Sequence, residues 1–194
     1  TGFGNVVNVT RAVSDFITAG AAGLYLEDQV FPKRCGYTKG VEIIPAQDVM
    51  AKYRAACDVR DAMDPDFVII ARTDSRAAVG GGMDEVLRRV EAYLTTPVDM
   101  VMVMALQSRE ELRRVKEAFP GKLVFFNASA VKPALTTKEY EELGVATCSL
   151  SISKVAQLMM HNFLMDYKTR GADALNAFND TLEGHPLGEY SYLE

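Results

Sequence analysis

The chain has 194 residues, of which 48% are hydrophobic, and it carries a formal net charge of −5 at pH 7. This length and apolar content suffice for one compact domain with its own core. The acidic balance argues against binding to nucleic acid or to an anionic membrane surface. No apolar run in the sequence reaches the roughly 18 residues that a membrane span needs.

The three cysteines, Cys35, Cys57 and Cys148, show no CxxC spacing. An odd number without paired spacing favours a reducing compartment, so we expect a cytoplasmic protein in which Cys57 and Cys148 are buried. No secretory signal pattern opens the chain, which begins at Thr1 without a methionine. The two histidines form no HExxH zinc motif, so proton chemistry is expected from cysteine, lysine, tyrosine, carboxylates or a metal-bound group.

Short apolar runs alternate with longer segments of helical period along the chain. The apolar runs predict strands at 22–27, 66–73, 99–105, 122–127 and 145–150. Helical spacing predicts helices at about 9–17, 45–63, 86–94, 108–119, 136–143 and 152–170, with a further short one near 172–182. Continuous apolar strands that alternate with helices indicate an α/β fold with a parallel sheet covered on both faces.

Polar side chains stand where three of the predicted strands end, namely Glu27 and Asp28, Arg72 and Asp74, and Asn127 and Ser129. In both barrel and open α/β folds, ligands bind at this end of the strands. Carboxylates at such a position suit a hard cation such as Mg²⁺, which takes oxygen ligands. The strand ends are therefore the candidate site.

The segment 24–40 joins an apolar strand and two carboxylates to a loop that carries Cys35 beside Lys33 and Arg34. The two cations favour the thiolate form of this cysteine, so it can give or take a proton near neutral pH. A metal-binding strand followed by an acid/base loop is typical of an enzyme site.

Three motifs occur together: Thr-Gly-Phe-Gly-Asn at 1–5, Glu-Asp-Gln with Pro-Lys-Arg-Cys-Gly within 27–36, and Ala-Arg-Thr-Asp-Ser at 71–75. With them the chain resembles, from its start to about residue 170, the isocitrate lyase/phosphoenolpyruvate mutase superfamily, in particular its 2-methylisocitrate lyase-like branch. The resemblance implies a (β/α)8 TIM-type barrel, represented here by about five C-terminal β/α units. It thus implies one partial barrel domain over 1–194 with a C-terminal helical segment from about 152, and metal-binding aspartates upstream of Thr1.

The same resemblance implies a lyase that uses Mg²⁺, or Mn²⁺, to cleave a carbon–carbon bond in a small 2-hydroxy dicarboxylate of methylisocitrate or dimethylmalate type. Cleavage would follow retro-aldol chemistry through an enolate-type intermediate. The alternatives are an oxaloacetate hydrolase, a phosphonomutase-type enzyme on the same scaffold, or a catalytically silent member. The implied partners are a small carboxylic acid and further copies of the chain, in a helix-swapped homodimer or tetramer.

Some site roles follow from the resemblance at the start of the chain and in the loop. Glu27 corresponds to the glutamate of the metal shell, which often acts through water. Lys33 and Cys35 correspond to the mobile loop over the site, with Cys35 as the acid that protonates the departing carbanion. Gly2 and Gly4 correspond to the turn beside the metal, where Gly4 contacts the substrate.

Further roles follow for the later strands. Arg72 is implied to grip a substrate carboxylate, and Asn127 and Ser129 to contact the distal carboxylate. Two positions depart from the family's pattern: Tyr37 stands where the loop usually has histidine, and Met104 where a strand usually ends in Glu-Ala. Met104 favours a smaller or more apolar substrate end, as in dimethylmalate-type lyases, while the loop cysteine argues against the phosphonate mutases.

Overall fold

A computed structural model describes residues 1–122, 124–126, 131–143, 152–186 and 188. The chain separates into two compact units, Thr1–Cys148 and Ser149–Glu194, and each unit is described by itself. The predicted strand at 145–150 lies outside the described residues, as do Asn127, Ser129 and Cys148. The single domain over 1–194 stays a prediction.

The first unit is built around a parallel sheet whose four described strands lie side by side in chain order. The strands are β1 (Gly23–Glu27), β2 (Val68–Thr73), β3 (Met100–Val103) and β4 (Val124–Phe126). The helices of this unit are α1 (Val6–Thr18), α2 (Ala46–Met63), α3 (Met83–Tyr93), α4 (Arg109–Ala118) and α5 (Thr137–Glu142). The predicted α/β fold with a parallel sheet is confirmed. Each of β2, β3 and β4 lies beside the strand that precedes it in the chain.

Strand periodicity gives the two faces of the sheet different environments. On the helix face, Leu26, Ile69 and Val101 are buried in the main hydrophobic core. On the other face, Met102 and its neighbours form a smaller cluster, and Tyr25 of β1 is 53% exposed. Because successive side chains point to opposite faces, the register fixes which polar groups at the strand ends share a face.

The sequence Ser108-Arg-Glu-Glu111 predicts a capping box at the start of α4, and the structure forms one half of it. As expected, the Ser108 hydroxyl accepts a hydrogen bond from the Glu111 amide, at 3.2 Å. The Glu111 carboxylate instead accepts from the Gln107 amide at 2.8 Å and from Arg76 at 2.6 Å. A charged arginine competes well for this carboxylate because charge-assisted hydrogen bonds are stronger than neutral ones.

The second unit contains two helices, α6 (Ile152–Arg170) and α7 (Ala172–Asp180). The chain turns between them at Gly171, whose φ of +58° suits glycine, and the rings of Phe163 and Phe178 lie 5.2 Å apart. The exposed large apolar side chains of these helices are Ile152, Val155, Leu158, Met159, Met160, Leu164, Met165, Tyr167, Leu175 and Phe178. Among the described helices of the chain, none combines the length and apolar character that crossing a bilayer requires.

A buried carboxylate joins the ends of β1 and β2 to α3. Asp28 is fully buried and accepts hydrogen bonds from the Thr73 hydroxyl at 2.7 Å and the Asp74 amide at 2.9 Å. It also accepts from Arg89 at 3.0 Å and from the Tyr93 hydroxyl at 2.9 Å. Burial raises the pKa of Asp28, although these donors oppose the rise. The four donors therefore offset part of the cost of burying this carboxylate.

We expect Asp28→Asn to lower the free energy of unfolding by about 3 kcal/mol, because an amide cannot accept from all four donors and Arg89 loses its buried partner. Urea unfolding measures the change. Asp66→Asn, at an exposed position, is the control and should leave the midpoint unchanged. An Asp28→Asn midpoint equal to that of the control would contradict this account of the network.

Candidate active site

Glu27 and Arg72 lie next to each other because the register of β1 and β2 pairs them. Both side chains are buried, and Arg72 Nη2 lies 3.2 Å from Glu27 Oε2. The Lys33 ammonium reaches the same oxygen at 2.7 Å. The second oxygen, Oε1, is buried and accepts no hydrogen bond from the described residues, although the Thr1 amino nitrogen lies 4.0 Å away. One oxygen of Glu27 is thus neutralised and the other is left available.

The guanidinium of Arg72 is held mainly by Asp74. Its Nε and Nη2 atoms donate to the two Asp74 oxygens at 3.1 and 3.0 Å, and its central carbon lies 5.4 Å from the centre of the Tyr25 ring. Burial acts to lower the pKa of Arg72, but the hydrogen bonds and charge of Asp74, with the charge of Glu27, raise it. Within the described part of the chain, Nη1 has no hydrogen-bond partner. The other two guanidinium nitrogens are held by Asp74 and Glu27.

The strand-end carboxylates differ in what they have left to offer a ligand. Asp28 is occupied by its four donors, and Asp74 is occupied by Arg72. Glu27 alone among these three keeps a buried oxygen without a donor. The described residues contain no group of three or more histidine, cysteine or acidic side chains placed to hold a metal ion. Glu27 fits a cation as one member of a larger ligand set.

Backbone hydrogen bonds join the two ends of the loop that lies over the strand ends. The Val30 amide donates to the Glu42 carbonyl at 2.9 Å, and the Ile44 amide donates to the Asp28 carbonyl at 3.0 Å. Between these anchors, the loop carries Lys33 to Glu27. The loop therefore returns to its starting point and presents its middle residues above the sheet edge.

Cys35 and Cys57 occupy contrasting positions. Cys35 is exposed, and its carbonyl accepts from the amide and hydroxyl of Thr38 at 2.9 and 2.7 Å. Cys57 is fully buried, as predicted, with its thiol donating to the Pro97 carbonyl at 3.3 Å. Burial raises the pKa of Cys57 to about 11. Of these two thiols, the loop cysteine is the one accessible to a substrate.

The predicted glycine turn lies at the start of α1. Gly2 and Gly4 have φ values of +74° and +146°, and a Cβ at either position would collide with Val9 or Asn8 of α1. The turn leads to Thr1, whose amino nitrogen lies near Glu27. The structure thus brings the start of the chain and the end of β1 together, and the substrate contact of Gly4 stays a prediction.

Met104 gives the site an apolar border. Its amide donates to the Thr73 carbonyl at 3.0 Å, which extends the pairing of β3 with β2. Its side chain packs with Met102 and Ala105, and Ile70 adds to this cluster. The register puts Met102 beside Arg72, so the apolar cluster and the charged groups share one face.

Gln29 and Gly36 are site residues that the sequence analysis missed. Gln29 is buried and pairs with the backbone of Arg34. Gly36 packs so closely on Asp74 that a Cβ would collide with its carboxylate. In the sequence, both residues belong to the motifs at 27–36. A helical or strand period predicts neither of their contacts.

The chain is similar in sequence to known lyases. Residues 1–166 match the phosphoenolpyruvate phosphomutase family. The 2,3-dimethylmalate lyase of Eubacterium barkeri is 41% identical over 145 residues, which cover 74% of this chain and 49% of that protein. The probable 2-methylisocitrate lyase 1 of Corynebacterium glutamicum is 38% identical over 168 residues, covering 82% and 54%. The chain spans about half the length of the curated relatives it matches.

Solved structures agree with this placement. Oxaloacetate acetylhydrolase in complex with the inhibitor 3,3-difluorooxalacetate superimposes with a TM-score of 0.77 and 26% identity, over 88% of this chain and 58% of that one. Phosphonopyruvate hydrolase in complex with oxalate and Mg²⁺ gives a TM-score of 0.74 and 28% identity, over 88% and 59%. The family resemblance inferred from the three motifs is confirmed: the chain belongs to the phosphoenolpyruvate phosphomutase family, within the phosphoenolpyruvate mutase/isocitrate lyase superfamily.

Proposed function

We propose that the protein is a Mg²⁺-dependent carbon–carbon lyase that cleaves a small 2-hydroxy di- or tricarboxylate of dimethylmalate or methylisocitrate type. The observation that carries the proposal is the convergence of Glu27, Lys33 and Arg72 at the strand ends, with one buried Glu27 oxygen free. Cations beside a carboxylate that retains an available oxygen suit both an anionic substrate and a divalent ion. The lyase names of two relatives support this reaction class.

Glu27 is the residue of this chain that would hold the metal ion. A buried carboxylate oxygen without a donor is costly unless a ligand satisfies it, and a hard cation does so. In the proposal Glu27 is one ligand, direct or through water, of a larger ligand set. Mg²⁺ held there would supply Lewis acidity, which favours negative charge on the oxygen atoms of a 2-oxo acid.

The chain's own residues have defined parts in the proposed reaction. Arg72 Nη1 holds a substrate carboxylate, and Lys33 adds positive charge beside it. The substrate hydroxyl loses its proton to a base as the carbon–carbon bond breaks, and the electron pair of that bond passes to the departing fragment. The Cys35 thiol then donates a proton to this carbanion, while the loop limits the entry of water. We propose that Gly4, Asn127 and Ser129 also contact the substrate, as the resemblance implies.

The apolar border favours a dimethylmalate-like substrate over a tricarboxylate. Met102 and Met104 form a buried cluster on the face that also carries Arg72. A carboxylate against these thioethers would be desolvated without a partner, whereas methyl groups would pack against them. Similarity to a 2,3-dimethylmalate lyase supports the same choice.

We propose that the sheet is part of a closed (β/α)8 barrel. Among the described strands, β1 pairs with β2 alone, and beside it lies a largely apolar cavity of about 500 Å³ lined by residues that include Phe3, Phe16, Tyr25 and Phe31. Further strands beside β1 would fill this cavity and cover its aromatic side chains. Similarity to solved superfamily members supports the barrel.

Hydrolysis of oxaloacetate is the second candidate. It is favoured by the TM-score of 0.77 to oxaloacetate acetylhydrolase. The same arginine and lysine would hold the substrate carboxylates, so the two reactions differ in whether water attacks the bound 2-oxo acid. Product analysis separates them, since oxaloacetate hydrolysis yields oxalate and acetate.

The decisive experiment supplies Mg²⁺ with a panel of 2-hydroxy di- and tricarboxylates and, separately, with oxaloacetate, and measures pyruvate, glyoxylate and oxalate. We expect release of a 2-oxo acid, and we expect Cys35→Ser to lower kcat by about 10²-fold or more because the proton donor is lost. Thr38→Ser is the control, because it makes an equally small change in the same loop at an exposed position and keeps the hydroxyl, and it should keep wild-type turnover. Alkylation should inactivate through Cys35 and spare Cys57, whose pKa burial raises to about 11.

The lyase proposal would be contradicted if no panel member released any of these products and Cys35→Ser were indistinguishable from wild type. Calorimetric titration with Mg²⁺ then tests the silent alternative. Mg²⁺ binding that becomes tighter with a dicarboxylate and weaker in Glu27→Gln would support a functional metal site. The absence of such binding would favour the catalytically silent member.

We also propose that the second unit binds a second copy of the chain. Leu158 and Met165 of α6 are at least half exposed and lie seven residues apart, so they share one helix face. We expect Leu158→Glu with Met165→Glu to reduce the molar mass in solution, measured by light scattering, because charges are disfavoured in an apolar interface. Ser153→Glu on the same helix is the control, and an unchanged mass in the double variant would contradict the proposal.

A further inference from the structure

Gln29 holds the middle of the active-site loop through its side-chain amide. The residue is 2% exposed and follows directly after Glu27 and Asp28. Its Oε1 accepts from the Arg34 amide at 2.9 Å, and its Nε2 donates to the Arg34 carbonyl at 3.1 Å. One side chain thereby satisfies both backbone groups of one loop residue. We call this pair of hydrogen bonds the Gln29 clasp.

The clasp acts on a loop whose two ends are already joined. Residues 28–30 pair with residues 42–44 through backbone hydrogen bonds, and Gln29 itself bridges to Ile43 in antiparallel fashion. The joined ends and the bridge of Val41 to Ala78 still leave ten residues, 31–40, to be held by other contacts. The Gln29 side chain adds a third attachment inside that segment, at Arg34.

The residues on either side of Arg34 are the two assigned to chemistry. Lys33 precedes it and reaches Glu27 at 2.7 Å. Cys35 follows it, and the next residue, Gly36, packs against the Asp74 carboxylate. Cys35 therefore lies between two fixed points, the Gln29 clasp and the contact of Gly36 with Asp74.

We propose that Gln29 is a positioning residue, whose clasp on Arg34 sets where Lys33 and Cys35 stand above the strand ends. The effect on turnover rests on the proposed function, whereas the effect on the loop does not. Only glutamine supplies both a donor and an acceptor at this reach. Glutamate would keep the bond from the Arg34 amide but could not donate to the carbonyl, and methionine would supply neither.

The opening of the loop can be measured by trypsin digestion, because trypsin cleaves after Lys33 and Arg34. We expect Gln29→Met to raise the rate of cleavage at these two bonds by about tenfold or more, since losing two hydrogen bonds raises the population of the open loop. Gln29→Glu should give an intermediate rate. Gln47→Met, at an exposed position on α2, should cleave as wild type does. Mass spectrometry identifies the bond that is cut.

Cleavage of a folded Gln29→Met variant at the wild-type rate would overturn the proposal, as would an equal rise after Arg54 of α2, which would indicate general loss of stability. If a lyase activity is measured, kcat should fall in Gln29→Met, recover in part in Gln29→Glu, and fall no further when Gln29→Met is added to Cys35→Ser. A faster loop cleavage without any activity in wild type would support the clasp while counting against the proposed function.

Discussion

The alternation of side chains at the end of β1 is the constraint on which the site depends. Glu27 and Asp28 are adjacent carboxylates, and strand geometry sends them to opposite faces of the sheet. Asp28 enters the helix side, where Arg89 and three other donors hold it. Glu27 faces the other side, beside Arg72. One carboxylate thus stabilises the fold, and its neighbour keeps one oxygen without a donor from the described residues.

Each carboxylate needs compensation because an unpaired buried charge is strongly disfavoured. Arg72 neutralises Asp74 through two hydrogen bonds and contributes to Glu27 with the same Nη2 atom. Lys33 completes the compensation from the loop, with its side chain 44% exposed. The arginine is therefore fixed by the sheet, while the lysine belongs to the loop. Both cations contact Oε2 of Glu27, so Oε1 keeps no donor among the described residues.

Much of the fold could be predicted because it depends on periodic burial. The strands at 23–27 and 68–73 and the helix at 152–170 follow from apolar spacing, and the structure places them within about two residues of the predicted bounds. The convergence of Glu27 and Arg72 also follows, since the ends of parallel strands meet at one edge. These features are set by the backbone pattern and by which residues avoid water.

The missed features depend on side-chain partners that are distant in sequence or set by the path of a loop. Nothing in the sequence distinguishes Asp28 from Glu27 as the structural carboxylate until Arg89 is known to reach it. The capping box at α4 was half wrong because Arg76, 35 residues away, takes the Glu111 carboxylate. Gln29 was missed for a related reason, since its partner is a backbone whose position only the folded loop defines. The residues that set the loop are thus the least visible in the sequence, because their contacts depend on the folded path of the chain and not on a repeating pattern of burial.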